Sequence, residues 1–253
     1  MSNRRNFIKK SILTGAGVLA ANQVFSTSKR LKLKFVEPSL PKGTVVLFQG
    51  DSITDGNRTR DNDWNHVMGH GYAYLIASRL WFDHPKEELM FYNRGISGNT
   101  INDLNNRWQE DALDLKPDII SILVGINDVY GIVKGYLQQS VSEFEVTYKK
   151  VLDNTKNSLP ESTIVLCEPF ILPGGRVKEK PEVWEKETKA RSEVVQKLAN
   201  DYQTLYVPLQ QPFIDACELA PANYWIWDGI HPMPAGHELI AREWLKVAKQ
   251  KFG

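Results

Sequence analysis

Pro117-Asp118-Ile119-Ile120-Ser121-Ile122-Leu123-Val124-Gly125-Ile126-Asn127-Asp128 is the stretch that decides the architecture. Its apolar run, Ile119 to Val124, has strand length and almost no polar residue, as expected of a central parallel strand covered on both faces. Shorter runs of the same character lie on either side: Thr44 to Gln49, Leu89 to Tyr92, Thr163 to Cys167 and Leu205 to Val207. Between them apolar residues recur at helical spacing. Ala73, Ile76, Ala77 and Leu80 mark one helix. Ile101, Leu104, Trp108 and Leu115 mark the next, with Thr100 or Asn99 as its cap. Val141, Phe144, Tyr148, Val151 and Leu152 define a third, Val194, Val195, Leu198, Ala199 and Tyr202 a fourth, and Ile240, Trp244, Val247 and Ala248 the last. Strands alternating with helices imply right-handed crossovers and a parallel sheet. The expected fold class is α/β, a three-layer α/β/α sandwich around a mostly parallel, five-stranded sheet.

The 253 residues, 42% hydrophobic and 24% charged, suit one large domain over residues 44–253. Thirty-one basic against 30 acidic residues leave a formal charge of +1, so no basic field exists to hold nucleic acid or an anionic membrane. A small neutral or glycan-like substrate is the easier partner, and a homo-oligomer is compatible with the composition. Residues 1–26 combine a basic start with the modestly apolar run Ser11 to Ala21, which is too short to span a bilayer. Those are the parts of an export signal, and Arg4-Arg5-Asn6-Phe7-Ile8-Lys9 resembles the twin-arginine type. The expectation is an exported protein, periplasmic or extracellular, with no stable membrane insertion once the signal is removed. Residues 27–43 read as a linker or edge segment. Export permits a disulfide, but Cys167 sits in an apolar strand, and both Cys167 and Cys217 are expected to be free.

In an open parallel sheet, sites form beyond the carboxyl ends of the strands. Here those ends are Gly50-Asp51-Ser52, Asn93 through Gly98, and Gly125-Ile126-Asn127-Asp128, three polar turns on one rim. Ser52 can serve there as a nucleophile. Of the five histidines, His231 stands out in Trp227-Asp228-Gly229-Ile230-His231-Pro232, because one loop then supplies both a base and a carboxylate to orient it. His66 and His70, with Asp61 or Asp63, have the spacing for a metal, but the glycine-containing polar loop favours plain substrate-loop residues. No metal and no cofactor is expected.

Together these blocks resemble the SGNH (GDSL-type) hydrolase family over nearly all of residues 44–250. All four blocks stand in order with no catalytic position replaced, and no Gly-x-Ser-x-Gly elbow surrounds Ser52. The resemblance implies the flavodoxin-like fold of that family and a catalytic triad of Ser52, His231 and Asp228. It also implies an oxyanion hole from the N–H groups of Ser52 and Gly98 and the Asn127 amide. The finer pattern Gly50 to Gly56, Gly69-His70-Gly71-Tyr72 and Trp227 before Asp228 is similar to bacterial acetylxylan esterases, which implies hydrolysis of acetyl esters on a glycan. Trp227, Trp225, Tyr130, Tyr224 and Trp64 can then offer faces to sugar rings, with Asp51 beside the nucleophile also facing substrate. The rivals are a lipolytic or lysophospholipase-like esterase, a general arylesterase, and a silent carbohydrate-binding protein on the same scaffold.

Overall fold

The structure, a computed structural model, describes residues 38–61 and 65–253; the expected export signal, most of the linker, Asp63 and Trp64 lie outside them. The described residues form one compact unit. β1 (Val45–Gly50) is followed by α1 (Ser52–Asp55) and α2 (Tyr72–Asp83). β2 (Met90–Asn93) leads to α3 (Ile101–Asn106) and α4 (Trp108–Asp111), and β3 (Ile119–Leu123) to α5 (Ile126–Lys134) and α6 (Val141–Ser158). β4 (Thr163–Cys167) precedes α7 (Pro181–Asp201), and β5 (Leu205–Val207) precedes α8 (Gln210–Ala216), α9 (Ala222–Trp225) and α10 (Pro234–Phe252). The strands pair in the order β2-β1-β3-β4-β5, all parallel. The three-layer α/β/α sandwich expected from the alternation of elements is what forms.

Alternate strand residues feed two cores, because side chains change face at every residue. Val46 and Phe48 point toward α2 and α10, where the Phe48 ring lies 5.8 Å from Tyr72 and 5.7 Å from Trp244. Leu47, Ile120, Ile122, Ile164 and Leu166 face α3, α6 and α7, against Trp108, Phe144, Tyr148 and Leu198. The one polar side chain of β3, Ser121, is paired: its Oγ accepts from Trp244 Nε1 at 3.0 Å and lies 3.6 Å from Cys167 Sγ. Both cysteines are free, and burial pushes the Cys167 thiol up to about 12. Among the described residues no helix is long and apolar enough to cross a membrane. The Ser39 N–H donates to Phe252 O at 2.7 Å, so the start of the compact unit lies beside the end of α10.

The structure departs from the sequence-based expectations at several elements. The helix expected over Ile101 to Leu115 is broken at Arg107, which caps both α3 and α4 with φ −109° and ψ 8°. Those dihedrals lie in the bridge region between helix and strand. Thr100, of the two candidates, is the cap, in a capping box with Asp103. Ser52–Asp55, expected as a plain turn, is one turn of helix. α7 begins at Pro181, well before the first residue of its apolar spacing, because Pro at the first position suits a helix start and its opening turns are largely exposed. α5 does carry Ile126, Val129 and Val133 at helical spacing, but it starts directly on the polar turn after β3 and reads as part of it, whereas α8 is too short to show a repeating stripe.

Candidate active site

β1 ends at Gly50, and Asp51 carries the chain over the sheet rim into α1, placing Ser52 at the first helical position. Ser52 Oγ lies 2.9 Å from His231 Nε2, and His231 Nδ1 lies 2.8 Å from Asp228 Oδ2. With the ring proton on Nδ1 and donated to the carboxylate, Nε2 is free to accept from the serine hydroxyl. Asp228 is buried, and burial alone raises a carboxyl pKa. The hydrogen bonds from the His231 side chain and from the His231 and Ile230 N–H groups outweigh that and hold Asp228 at about 2. Arg176 Nε forms an ion pair with the carboxylate, 3.0 Å from Oδ2. Asp228 is therefore a fixed negative charge across any ordinary working pH.

The turn between Asp228 and His231 depends on Gly229. Its φ is +90°, and a side chain there would stand 2.7 Å from Gly174 O. The segment Leu172 to Arg176, which runs into a turn of 3-10 helix at Gly175–Lys178, is laced to this loop by Leu172 N–H to Gly229 O (3.0 Å) and Arg176 N–H to Asp228 O (2.8 Å). The loop that carries Asp228 is thus pinned by the segment beside it.

The three groups expected as oxyanion donors each keep a proton to give. Ser52 N–H heads a helix, where the first amides have no intrahelical acceptor. Gly98, with φ +87° and open space where a Cβ would stand, has no acceptor for its N–H among the described residues. Asn127, in the first turn of α5, spends one Nδ2 proton on Asn99 O at 3.1 Å and keeps the other. Beneath them lies a network that spacing did not reveal. Asn93 Nδ2 donates to Thr54 O, Asp55 O and Met68 O at 2.7 to 3.2 Å, and its Oδ1 accepts from Gly95 N. Asp55 accepts from Arg60 at 2.9 and 3.1 Å and from Ser97 Oγ at 2.9 Å, so it ties α1 to the turn after β2. The only sequence signal for Asn93 is a polar residue closing an apolar strand.

Of the residues expected to face substrate, Trp227 is 55% exposed and stacks on His231, ring centroids 6.2 Å apart. Asp51 does not face substrate, since it is fully buried and caps α1 by accepting from Ile53 N–H at 2.9 Å. Trp225 donates Nε1 to Ala220 O and packs on the α2/α10 core. Tyr130 carries the Arg176 guanidinium 5.6 Å above its ring and packs on Trp184, which ties it to the Asp228 side of the site. Tyr224 is 56% exposed. Among the described residues no group of three or more His, Cys, Asp or Glu side chains converges as a metal site. A buried histidine joins the surroundings instead: His237 Nδ1 accepts from Tyr72 N–H at 3.2 Å, and burial with His70 and His231 nearby lowers it to about 4.

Residues 48–239 match the model of the GDSL-like lipase/acylhydrolase family. The acetylxylan esterase of Geobacillus stearothermophilus is 31% identical over 210 residues, 81% of this chain and 93% of that protein. A crystal structure of that enzyme aligns with TM-score 0.73, covering 83% of this chain and 96% of it. A candidate GDSL-like lipase from Parabacteroides merdae aligns with TM-score 0.80 at 37% identity, covering 85% of this chain and 99% of that one.

Asp51 Oδ2 has no partner, and burial pushes this carboxyl up to about 7 despite the Ile53 hydrogen bond and the nearby His231. Asn at this position keeps the capping oxygen and removes the buried charge. Because the folded-state pKa exceeds the unfolded value, the native carboxyl costs stability progressively from about pH 4 to about pH 7. Asp51→Asn is expected to gain stability over the native protein across that window, with the gain levelling above it, as read by urea unfolding at a series of pH values.

Proposed function

The chain belongs to the GDSL-like lipase/acylhydrolase family and is a carboxylic ester hydrolase, and we propose that it removes acetyl groups from a polysaccharide or its oligosaccharides. The observation that carries the mechanism is the unbroken relay from Ser52 Oγ through His231 to Asp228. Support for the substrate comes from the similarity to an acetylxylan esterase and from the exposed Trp227 ring beside the base, a flat apolar face for a sugar. Catalytic variants of the Geobacillus enzyme lacking a serine, an aspartate or a histidine have been solved, in keeping with a triad of these residue types.

In this reading His231 takes the Ser52 proton as the hydroxyl oxygen attacks the ester carbonyl. Asp228, already ionised, steadies the imidazolium that forms. The developing oxyanion is met by Ser52 N–H, Gly98 N–H and the spare Asn127 Nδ2 proton. The imidazolium then protonates the departing sugar oxygen, leaving Ser52 acylated. Water, deprotonated by His231, attacks this acyl-enzyme and releases acetate. The neutral imidazole is the working form of the base. Residues 1–26 are proposed as the export signal, on the strength of Arg4-Arg5 and the apolar run behind them.

Acetate release from a panel of acetylated polysaccharides and oligosaccharides is expected for the native enzyme and absent for Ser52→Ala. An unchanged rate in that variant would remove the mechanism. An acyl-length series should fall steeply beyond acetyl; rising rates with longer chains would support a lipolytic enzyme instead. Asn127→Ala is expected to lower kcat on the order of 10²–10³-fold, measured with an acetyl ester, and full activity would strip Asn127 of its role. Expressed in a bacterium with a twin-arginine pathway, the protein should mature to a new N-terminus near Ala20 or Ser26, checked by N-terminal sequencing.

A further inference from the structure

Arg107 stands where the expected helix breaks, and its guanidinium leaves that break for the carboxyl edge of the sheet. Nη2 donates to Gly50 O at 3.2 Å, and Nη1 to Arg94 O and to Gln49 Oε1, each at 2.9 Å. Nε donates to Asn99 Oδ1 at 2.7 Å. Asp111 Oδ2, 3.0 Å from Nη1, balances the charge. The side chain is only 15% exposed. Gly50 lies two residues before Ser52, and Asn99 directly follows Gly98 and accepts the Asn127 amide through its backbone oxygen. One planar group therefore touches the nucleophile turn, the turn carrying the Gly98 donor, and the residue that orients the Asn127 donor.

We propose that Arg107 is a positioning residue that fixes the spacing between the nucleophile and the oxyanion donors; the proposal rests on the oxyanion assignment made under the proposed function. A guanidinium suits this work because its donors diverge in a rigid plane, whereas an ammonium is a point charge on a flexible stem. The oxyanion exists only beyond the ground state, so donors displaced by a fraction of an ångström reduce transition-state binding and leave substrate binding nearly intact. The helix break follows from the same demand. A continuous helix through residue 107 would keep its backbone amide on residue 103, whereas here it donates to Leu104 O and the chain redirects.

The test uses the full-length enzyme with an acetyl ester, comparing Arg107→Lys, Arg107→Met, Asn127→Ala and Arg79→Met. Arg79 pairs with Glu238 between α2 and α10 and reports the general loss of a partly buried ion pair. For both Arg107 variants kcat is expected to fall about 10- to 100-fold with KM within about twofold. Inhibition by a boronic acid that adds to the serine as a tetrahedral anion should weaken by a similar factor, while inhibition by acetate stays unchanged. Arg79→Met should keep kcat and boronate affinity whatever its melting temperature. Should Arg107→Met fail to fold, Arg107→Lys, which retains the charge opposite Asp111, decides alone. Native kcat in a folded Arg107 variant, or a loss of kcat with boronate affinity retained, overturns the proposal. If Asn127→Ala is fully active the oxyanion assignment itself fails; if Asn127→Ala is impaired and the Arg107 variants are not, only the role of Arg107 fails.

Discussion

Backbone polar groups that leave the carboxyl edge of a parallel sheet have no further strand to pair with, yet burial requires that they be paired. Two side chains meet much of what backbone bonds leave over here. Asn93 collects carbonyls from α1 and the segment before α2, and Arg107 collects those of Gly50 and Arg94. Both lie under the turns that carry Ser52 and Gly98. The chemistry above is thus supported by satisfied backbone rather than by loops free in solvent, and that gives a hydroxyl and two amides a common geometry.

Four carboxylates at the rim illustrate how hydrogen bonds and neighbouring charges compete with burial to set charge. Asp228 and Asp51 are both almost wholly inaccessible. Asp228 gathers two amides and an imidazole, which outweigh its burial, and its pKa falls to about 2. Asp51 gathers one amide and is pushed up to about 7, and Asp128, bonded to the Ile101 N–H, is raised equally by burial. Asp55 is partly desolvated too, but the Arg60 fork and Ser97 outweigh that and lower it. Asp228 and Asp55, whose hydrogen bonds outweigh burial, hold a dependable charge. One of these orients the histidine, and the other joins two turns of the rim.

The fold was legible because the strands are strongly apolar and evenly separated by helices, and because Gly-Asp-Ser, Gly-Ile-Asn-Asp and Asp-x-x-His each close a strand or sit in a loop where periodicity stops. Ser52, His231 and Asp228 could be picked out for the same reason and do lie within hydrogen-bond distance of one another. What escaped notice depends on contacts distant in the chain. Arg107 sits next to Trp108 in a run that reads as a uniform helix, and nothing local says that its guanidinium crosses to Gly50. Arg176 lies in a proline- and glycine-rich loop, and its approach to Asp228 exists only once β4 and the last loop are neighbours. Asp51 was misassigned to substrate because adjacency to Ser52 in sequence says nothing about which way the strand turns it.

The bond from Ser39 to Phe252 bears on how the molecule can be handled. Leu40, Pro41, Thr44 and Phe252 line one hollow with Asp118 and Thr163, at the amino ends of β1, β3 and β4. The catalytic turns occupy the opposite, carboxyl edge. Both ends of the folded unit therefore emerge on the same back face, side by side. Anchored to a bead, a cell wall or a carbohydrate-binding module through either end, the domain would present its reactive rim outward to an insoluble fibre. Joining the two ends by a short peptide would leave that rim untouched and free new termini to be opened elsewhere.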